Sequence, residues 1–375
     1  MAGLRFLHTA DVHLGSPFGF LGRRGREQRE QLKATFARVV DLALTSQVDL
    51  LVIAGDLFDK PHPGAGLLSE VAYQLGRLDA EGIWTVIVPG THDPMLPGCA
   101  YEKGPLPSLA HVHVFRGEEM EPLFIEGLDL AVYGMASRRE GGDALAAFRA
   151  DEEARWRVGV LHASVRIPGR VEEDGMMVTR ESIAASRLHY LALGHWHSLA
   201  EYSSGSVTAY YPGPPEALGA GDGERGRVLL VELEEGKGPR VKPISVGRRR
   251  FLRVDIDAGE AGGPQGVYAR IRDMADGDLA LEVRVSRSWG EEWVGFPWEK
   301  MEEELEPLFF RFRLRVAPAS LDAREVEDFP ESTVTGRFLR LAREEMARRE
   351  GEELLVAEEA LRLGLAHLAG EEAGP

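Results

Sequence analysis

Five short motifs place Asp and His residues directly after apolar runs: Asp11-Val12-His13, Gly55-Asp56-Leu57-Phe58-Asp59, Gly90-Thr91-His92-Asp93, Leu161-His162 and Gly194-His195-Trp196-His197. Carboxylates are hard oxygen ligands and imidazoles are borderline nitrogen ligands. The mixture suits Mn, Fe or Zn, whereas Mg prefers oxygen ligands and retained waters. An aspartate between two such ions bridges them at roughly 3.5–4 Å, and such a pair lowers the pKa of water and stabilises charge on a phosphoester under in-line attack. Any one motif is weak, because Gly-Asp is a common turn and a lone strand-end His is more often structural. All five in order, each after an apolar run, point to a metal site.

The residues converge only if those runs are neighbouring strands. Leu4–Leu7, Leu50–Ala54, Thr85–Val88, Val112–Phe115, Leu130–Tyr133, Val158–Leu161, Tyr190–Leu193, Val207–Tyr211 and Val228–Leu233 each read as buried strands. Between the early ones, Leu32, Phe36, Val39 and Ala43, then Leu67, Val71, Leu75 and Leu78, recur at helical spacing. Strand, helix, strand alternation implies right-handed crossovers and a largely parallel sheet, whose ligand crevice lies beyond the carboxyl ends of the strands. Leu123–Ile125 turns at Glu126-Gly127 into the next strand as a hairpin, so a mixed α/β layered domain is expected. The glycines before Asp56, Thr91 and His195 let the backbone approach a site closely.

After Gly247 the pattern changes to a small α+β unit with strands at Phe251–Ile256, Leu281–Val285 and Phe310–Val316 and helices at Val267–Met274 and Trp298–Leu308. From Thr335 to Leu368, Phe338, Leu341, Met346, Leu354, Leu355, Leu361 and Leu365 mark one or two amphipathic helices joined near Gly351.

The chain has 375 residues, enough for two or three domains, and a formal charge of −17, so nucleic-acid contact must be local or metal-assisted rather than by bulk charge. Its one cysteine, Cys99, excludes an internal disulfide and a zinc ribbon, and a reducing, cytoplasmic setting is expected. The N-terminal stretch has no basic region followed by an apolar segment, so neither a secretion signal nor a membrane span is expected. Arginines outnumber lysines 38 to 6 and asparagine is absent, a depletion of a thermolabile type.

HTADVHLG, AGDLFD, PGTHD, LHASV, LGHWH and Tyr211-Pro212-Gly213-Pro214-Pro215-Glu216 together resemble the motifs of calcineurin-like metallophosphoesterases, and the first two are similar to those of SbcD/YhaO-type DNA-repair exonucleases. The resemblance implies an α/β fold, a layered β-sandwich flanked by helices over residues 1–246. A small α+β capping domain at 247–320 and a C-terminal helical partner-docking segment at 321–375 would follow. It also implies that Asp11, His13 and His197 hold one ion, that Asp56 bridges, and that His162 and His195 hold a second, with Mn expected and Fe or Zn as alternatives. His92 would protonate or stabilise the leaving oxygen and Asp93 would orient it. The family places Asn where this chain has Thr91, so Thr91 becomes the weak ligand of the second site.

The implied activity is hydrolysis of DNA phosphodiester bonds by two-metal-activated water in double-strand-break repair. An SMC-like ATPase of the SbcC type would dock on the C-terminal helices, and the protein would be a homodimer. A small-molecule phosphodiesterase or phosphatase on the same scaffold, and a catalytically weak DNA-end-binding scaffold, are the alternatives.

Several residues stay outside this set. His8 reads as a core histidine, Asp59 as an outer or substrate-side group, and Trp196 as packing. His62, His111, His113, His189 and His367 read as surface or structural. The groups Arg23/Arg24/Arg26 and Arg248/Arg249/Arg250 either position phosphates or form solvated faces.

Overall fold

Every apolar run that precedes a motif is a strand: Leu4–Thr9, Leu50–Ala54, Trp84–Val88, Trp156–His162 and Tyr190–Gly194. The computed structural model describes residues 3–137, 142–151, 153–171, 174–219, 225–286, 296–317, 332–349 and 352–368. The chain forms two units, Met1–Phe251 and Leu252–Pro375. The division falls within the strand Arg250–Asp257, a few residues beyond the expected boundary at 246, and the expected boundary at 320 lies outside the described residues.

The first unit contains two six-stranded sheets. One runs in the order Arg240–Ser245, Arg227–Leu233, Leu4–Thr9, Leu50–Ala54, Trp84–Val88, Val112–Val114. Its last four strands are parallel, in the register Thr9 to Ile53 and Ala54 to Val88. The other runs Ala200–Glu201, Thr208–Tyr211, Tyr190–Gly194, Trp156–His162, Leu130–Gly134, Glu121–Ile125, with its central four strands parallel and Gly194 opposite His162. The expected hairpin at Glu126 pairs Glu121–Ile125 with Leu130–Gly134.

Alternate residues explain the stacking. Phe6, Val52, Val86 and Val88 of the first sheet share one buried cluster with Val132, Val158, Val160, Tyr190 and Ala192 of the second. The opposite face of the second sheet, with Tyr133, Leu161, Leu191 and Leu193, buries against Ile183 and Leu188. On the first sheet Leu7, Leu51, Ile53 and Ile87 are also fully buried, which is why its strands read as unbroken apolar runs. Each such side chain contributes roughly 1.5–3 kcal/mol when removed from water. The helix Gly25–Thr45 buries Leu32, Phe36 and Val39, so that stripe serves the chain's own core.

A buried carboxylate ties the end of this unit to that helix. Glu216, of the Tyr-Pro-Gly-Pro-Pro-Glu motif, accepts hydrogen bonds from the Thr35 hydroxyl at 2.5 Å and from the backbone N–H groups of Arg248 at 2.9 Å and Arg249 at 2.6 Å.

The second unit is a three-stranded sheet in the order Arg250–Asp257, Asp276–Ser286, Phe309–Val316 with the helices Pro264–Asp273 and Trp298–Leu305. Val267, Ile271, Val283, Met301, Leu305 and Phe312 are among its core. The helices Val334–Met346 and Glu352–Leu368 pack on each other, with Phe338 against Gly364. Leu339 is buried and Leu341 is 66 % exposed, while the side chains of Leu354, Leu355 and Leu365 lie outside the described ones. Among the described residues no helix is long and apolar enough to cross a membrane.

Candidate metal centre

The carboxyl ends of five parallel strands, three from one sheet and two from the other, carry all the motif residues. The two sheets touch here. A Cβ on Gly194 would stand 1.8 Å from the Ala54 carbonyl oxygen, so only glycine lets the second sheet's strand end close on the first. The backbone then turns sharply. Asp11, His13, Asp56 and His195 have φ of 54°, 49°, 50° and 104°, a region non-glycine residues rarely enter and one that clusters at functional sites. Bonds from Asp11 N to Gly55 O at 3.1 Å and from His13 N to Asp56 O at 2.9 Å hold the first two loops side by side.

Side chains converge accordingly. Three overlapping groups each bring ligand atoms within 4.8 Å of one another: Asp11, His13 and His197; His13, Asp56 and His92; and Asp11, Asp56 and His162. Asp56 Oδ2 lies 3.3 Å from His162 Nε2 and 3.6 Å from His13 Nε2, and its Oδ1 accepts from His92 N at 2.8 Å. His162 Nδ1 is 3.0 Å from the Ala54 carbonyl oxygen. A carbonyl only accepts, so Nδ1 carries the proton and Nε2 faces the aspartates as the ligand atom.

The residues fit divalent ions. His13 Nε2 and His162 Nε2 are buried and make no hydrogen bond, an expensive condition that a cation among them would relieve. Electrostatics agree. Burial opposes a charge on His162, yet the carboxylates of Asp56 and Asp11 push its pKa up to about 9. Burial likewise works to raise Asp56, but the neighbouring His162 and His13 hold its carboxyl well below the usual range. Burial raises Asp11. Positive charge is therefore demanded between these carboxylates, and a proton on His162 supplies it when no ion does.

Not every expected residue enters the groups. His195 stands outside them. Its backbone N–H donates to Asp11 Oδ1 at 3.0 Å, and its Nε2 lies 3.0 Å from Asp174 Oδ2. Thr91 Oγ1 is 3.4 Å from Asp56 Oδ2, on the exposed rim. Asp93 is fully buried and accepts from Gly90 N at 2.7 Å, Phe58 N at 2.9 Å and the Tyr101 hydroxyl. It shapes the backbone of the loop that carries Thr91 and His92. Asp59 Oδ1 sits 3.5 Å from His13 Nδ1, behind the ligand ring.

The remaining histidines are structural or superficial. His8 is fully buried against the Tyr190 hydroxyl, His111 pairs with Asp79, His189 accepts from Arg157 N, and His62 is exposed. Trp196 stacks on Tyr211 with ring centroids 4.9 Å apart, and it donates its indole N–H to Ser164 Oγ at 3.0 Å. Sequence inspection missed Asp174, Ser164 and Tyr101. Asp174 and Tyr101 belong to no motif, Ser164 lies in LHASV but carries no metal-ligating group, and Asp174 ends a Glu-Glu-Asp run that reads as a solvated surface.

Residues 4–199, more than half of the chain, match the family described as calcineurin-like phosphoesterase. The chain belongs to that family. Among curated proteins it is 30 % identical over 227 residues to the uncharacterized metallophosphoesterase YhaO of Bacillus subtilis, covering 58 % of this chain and 54 % of that one. It is 29 % identical over 271 residues to the DNA double-strand break repair protein Mre11 of Methanopyrus kandleri, covering 68 % and 55 %. Over 322 residues it is 24 % identical to a component of the nuclease SbcCD of Bacillus subtilis, covering 76 % and 80 %. The chain thus spans about half the length of the first two relatives.

Proposed function

We propose that this chain is a metal-dependent nuclease that hydrolyses DNA phosphodiester bonds, with two divalent ions, Mn foremost, held by Asp11, His13, Asp56, His162, His195 and His197. One observation carries the metal chemistry: Asp11, His13 and Asp56 each belong to two ligand groups, so the groups overlap as the shells of two neighbouring ions would. Bound ions would supply a low-pKa water and neutralise charge on the phosphoester. The protein's own part is to hold the ligand atoms on turned strand ends and to present His92 at the exposed edge. There, with its ring centroid 4.6 Å from that of His13, His92 protonates or stabilises the departing oxygen.

DNA as substrate is supported by the names of the Mre11 and SbcCD relatives. By the same likeness the chain works in cytoplasmic break repair as a homodimer with an SMC-like ATPase of the SbcC type. The exposed Val334, Leu341 and Val356 of the C-terminal helices offer that partner an apolar surface.

The test compares duplex DNA, single-stranded DNA and bis-nitrophenyl phosphate as substrates with added Mn, using Asp56→Ala as the control. DNA hydrolysis by the natural protein that vanishes in the variant is expected. Hydrolysis of the small ester alone would make this a small-substrate phosphodiesterase, and DNA binding without hydrolysis would make it a scaffold.

A further inference from the structure

A chain of hydrogen bonds runs from Trp196 through Ser164 and Asp174, which lies outside every motif, to His195, and the donors and acceptors along it admit one direction only. The Trp196 indole N–H can only donate, and it reaches Ser164 Oγ at 3.0 Å. The Ser164 hydroxyl therefore accepts there and donates its proton to Asp174 Oδ2 at 2.5 Å. The carboxylate can only accept, so the His195 nitrogen 3.0 Å from the same oxygen, Nε2, must carry a proton. Asp174 Oδ1 accepts from Gly175 N at 2.9 Å.

Three segments build this chain, and each is anchored. Ser164 is fully buried and lies two residues beyond His162, paired in register with Met177. Asp174 lies two residues before the short strand Met176–Val178, which leads into a helix fastened by the Thr179 and Ser182 capping box. The Trp196 ring is fixed by its stack on Tyr211.

We propose that Asp174 is a positioning residue that locks His195 in the Nε2–H tautomer and thereby presents the His195 Nδ1 lone pair as a ligand to the second ion. A histidine that binds a metal through one nitrogen generally donates the other N–H to a carboxylate or carbonyl, and His162 does so through its Nδ1 and the Ala54 oxygen. His195 mirrors it with the nitrogens exchanged, its ring 5.1 Å from that of His162 at an interplanar angle of 76°. The orienting group differs between the two. His162 is oriented by a backbone carbonyl inside the core, whereas the His195 ring, 28 % exposed, takes its hydrogen-bond partner from a side chain, Asp174.

This assignment rests on the two-ion site proposed above, and the experiment separates the two. Mn titration calorimetry on full-length apoprotein compares the natural chain with Asp174→Ala, Asp174→Asn and Ser164→Ala, alongside imidazole 15N chemical shifts of labelled His195 without metal. The expected result is two binding events in the natural chain, an unchanged tight event in all variants, and a second event weakened about 10–100-fold in Asp174→Ala, less in Asp174→Asn and Ser164→Ala. The His195 shifts should report Nε2–H in the natural chain and a tautomer mixture in Asp174→Ala. The unchanged tight event serves as the internal check on folding. If Asp174→Ala fails that check, the smaller expected loss in Asp174→Asn decides. A second event of natural strength in a folded Asp174 variant overturns the role of Asp174 alone, as does a strengthened one, which would make Asp174 a competitor for the ring. A single binding event in the natural chain overturns the two-ion site together with it.

Discussion

Gly90 leaves open the space that the Asp56 carboxylate occupies: a Cβ at position 90 would lie 2.2 Å from Asp56 Oδ1 and 2.5 Å from its backbone nitrogen. Two loops from neighbouring parallel strands, Leu50–Ala54 and Trp84–Val88, are thereby pressed together at a residue shared by two ligand groups. Gly90→Ala should displace Asp56 and cost about 1–3 kcal/mol of overpacking strain. Bound Mn measured by elemental analysis should fall well below that of the natural protein, together with activity. Full metal content in a folded Gly90→Ala protein would mean that the Asp56 position tolerates movement and is no bridge.

His92 separates the roles of acid and ligand. Its backbone N–H braces Asp56 at 2.8 Å and its ring stands at the exposed edge of the site. His92→Ala keeps the brace and removes the ring, so turnover should drop roughly 10²–10⁴-fold with metal content unchanged. Loss of an ion in that variant would show that the group of His13, Asp56 and His92 is itself a metal shell.

Proton and metal compete at His162. In the apoprotein the carboxylates of Asp56 and Asp11 overcome burial and raise its pKa to about 9, while an ion needs the neutral ring. Metal binding at pH 7 should therefore release close to one proton, and apparent affinity should rise about tenfold per pH unit up to about 9 before levelling. Calorimetry in buffers of different ionisation enthalpy reads the proton count. The linkage for folding has the opposite slope. Because the folded pKa lies above the unfolded one, the contribution of His162 to apoprotein stability is complete below about 6.5 and is lost as pH climbs through about 9. Thermal melting of the metal-free protein from about pH 6.5 to about 9.5 should show that decline, and a flat profile would contradict the protonated ring.

Thr91 offers a short hydroxyl, 3.4 Å from Asp56 Oδ2, at the position where the motif resemblance implies an asparagine. Unequal affinities for two ions are expected, with activity still rising after the tighter site has filled. Thr91→Asn should tighten the weaker event. Two equally tight ions in the natural chain, unmoved by that substitution, would show that the hydroxyl is no handicap.

The strand-ending motifs and helical stripes were legible in the chain itself because each depends on local periodicity and on residue chemistry. Leu50–Ala54 is a strand with its expected bounds, and Leu32, Phe36 and Val39 form the buried face of a helix. The same holds for where the candidate ligands fall, since Asp and His after an apolar run follow from sequence order alone. Tertiary structure decided the rest. That Val158–Leu161 and Tyr190–Leu193 belong to a different sheet from Leu4–Leu7 depends on which apolar faces stack, and alternation in a single strand does not name its partner. The left-handed turns at Asp11, His13 and Asp56 are imposed by backbone bonds between loops more than forty residues apart, not by local preference. Asp174 and Ser164 became visible only through the register that sets Ser164 beside Met177, because hydrogen bonds between distant segments leave no periodic trace in the sequence.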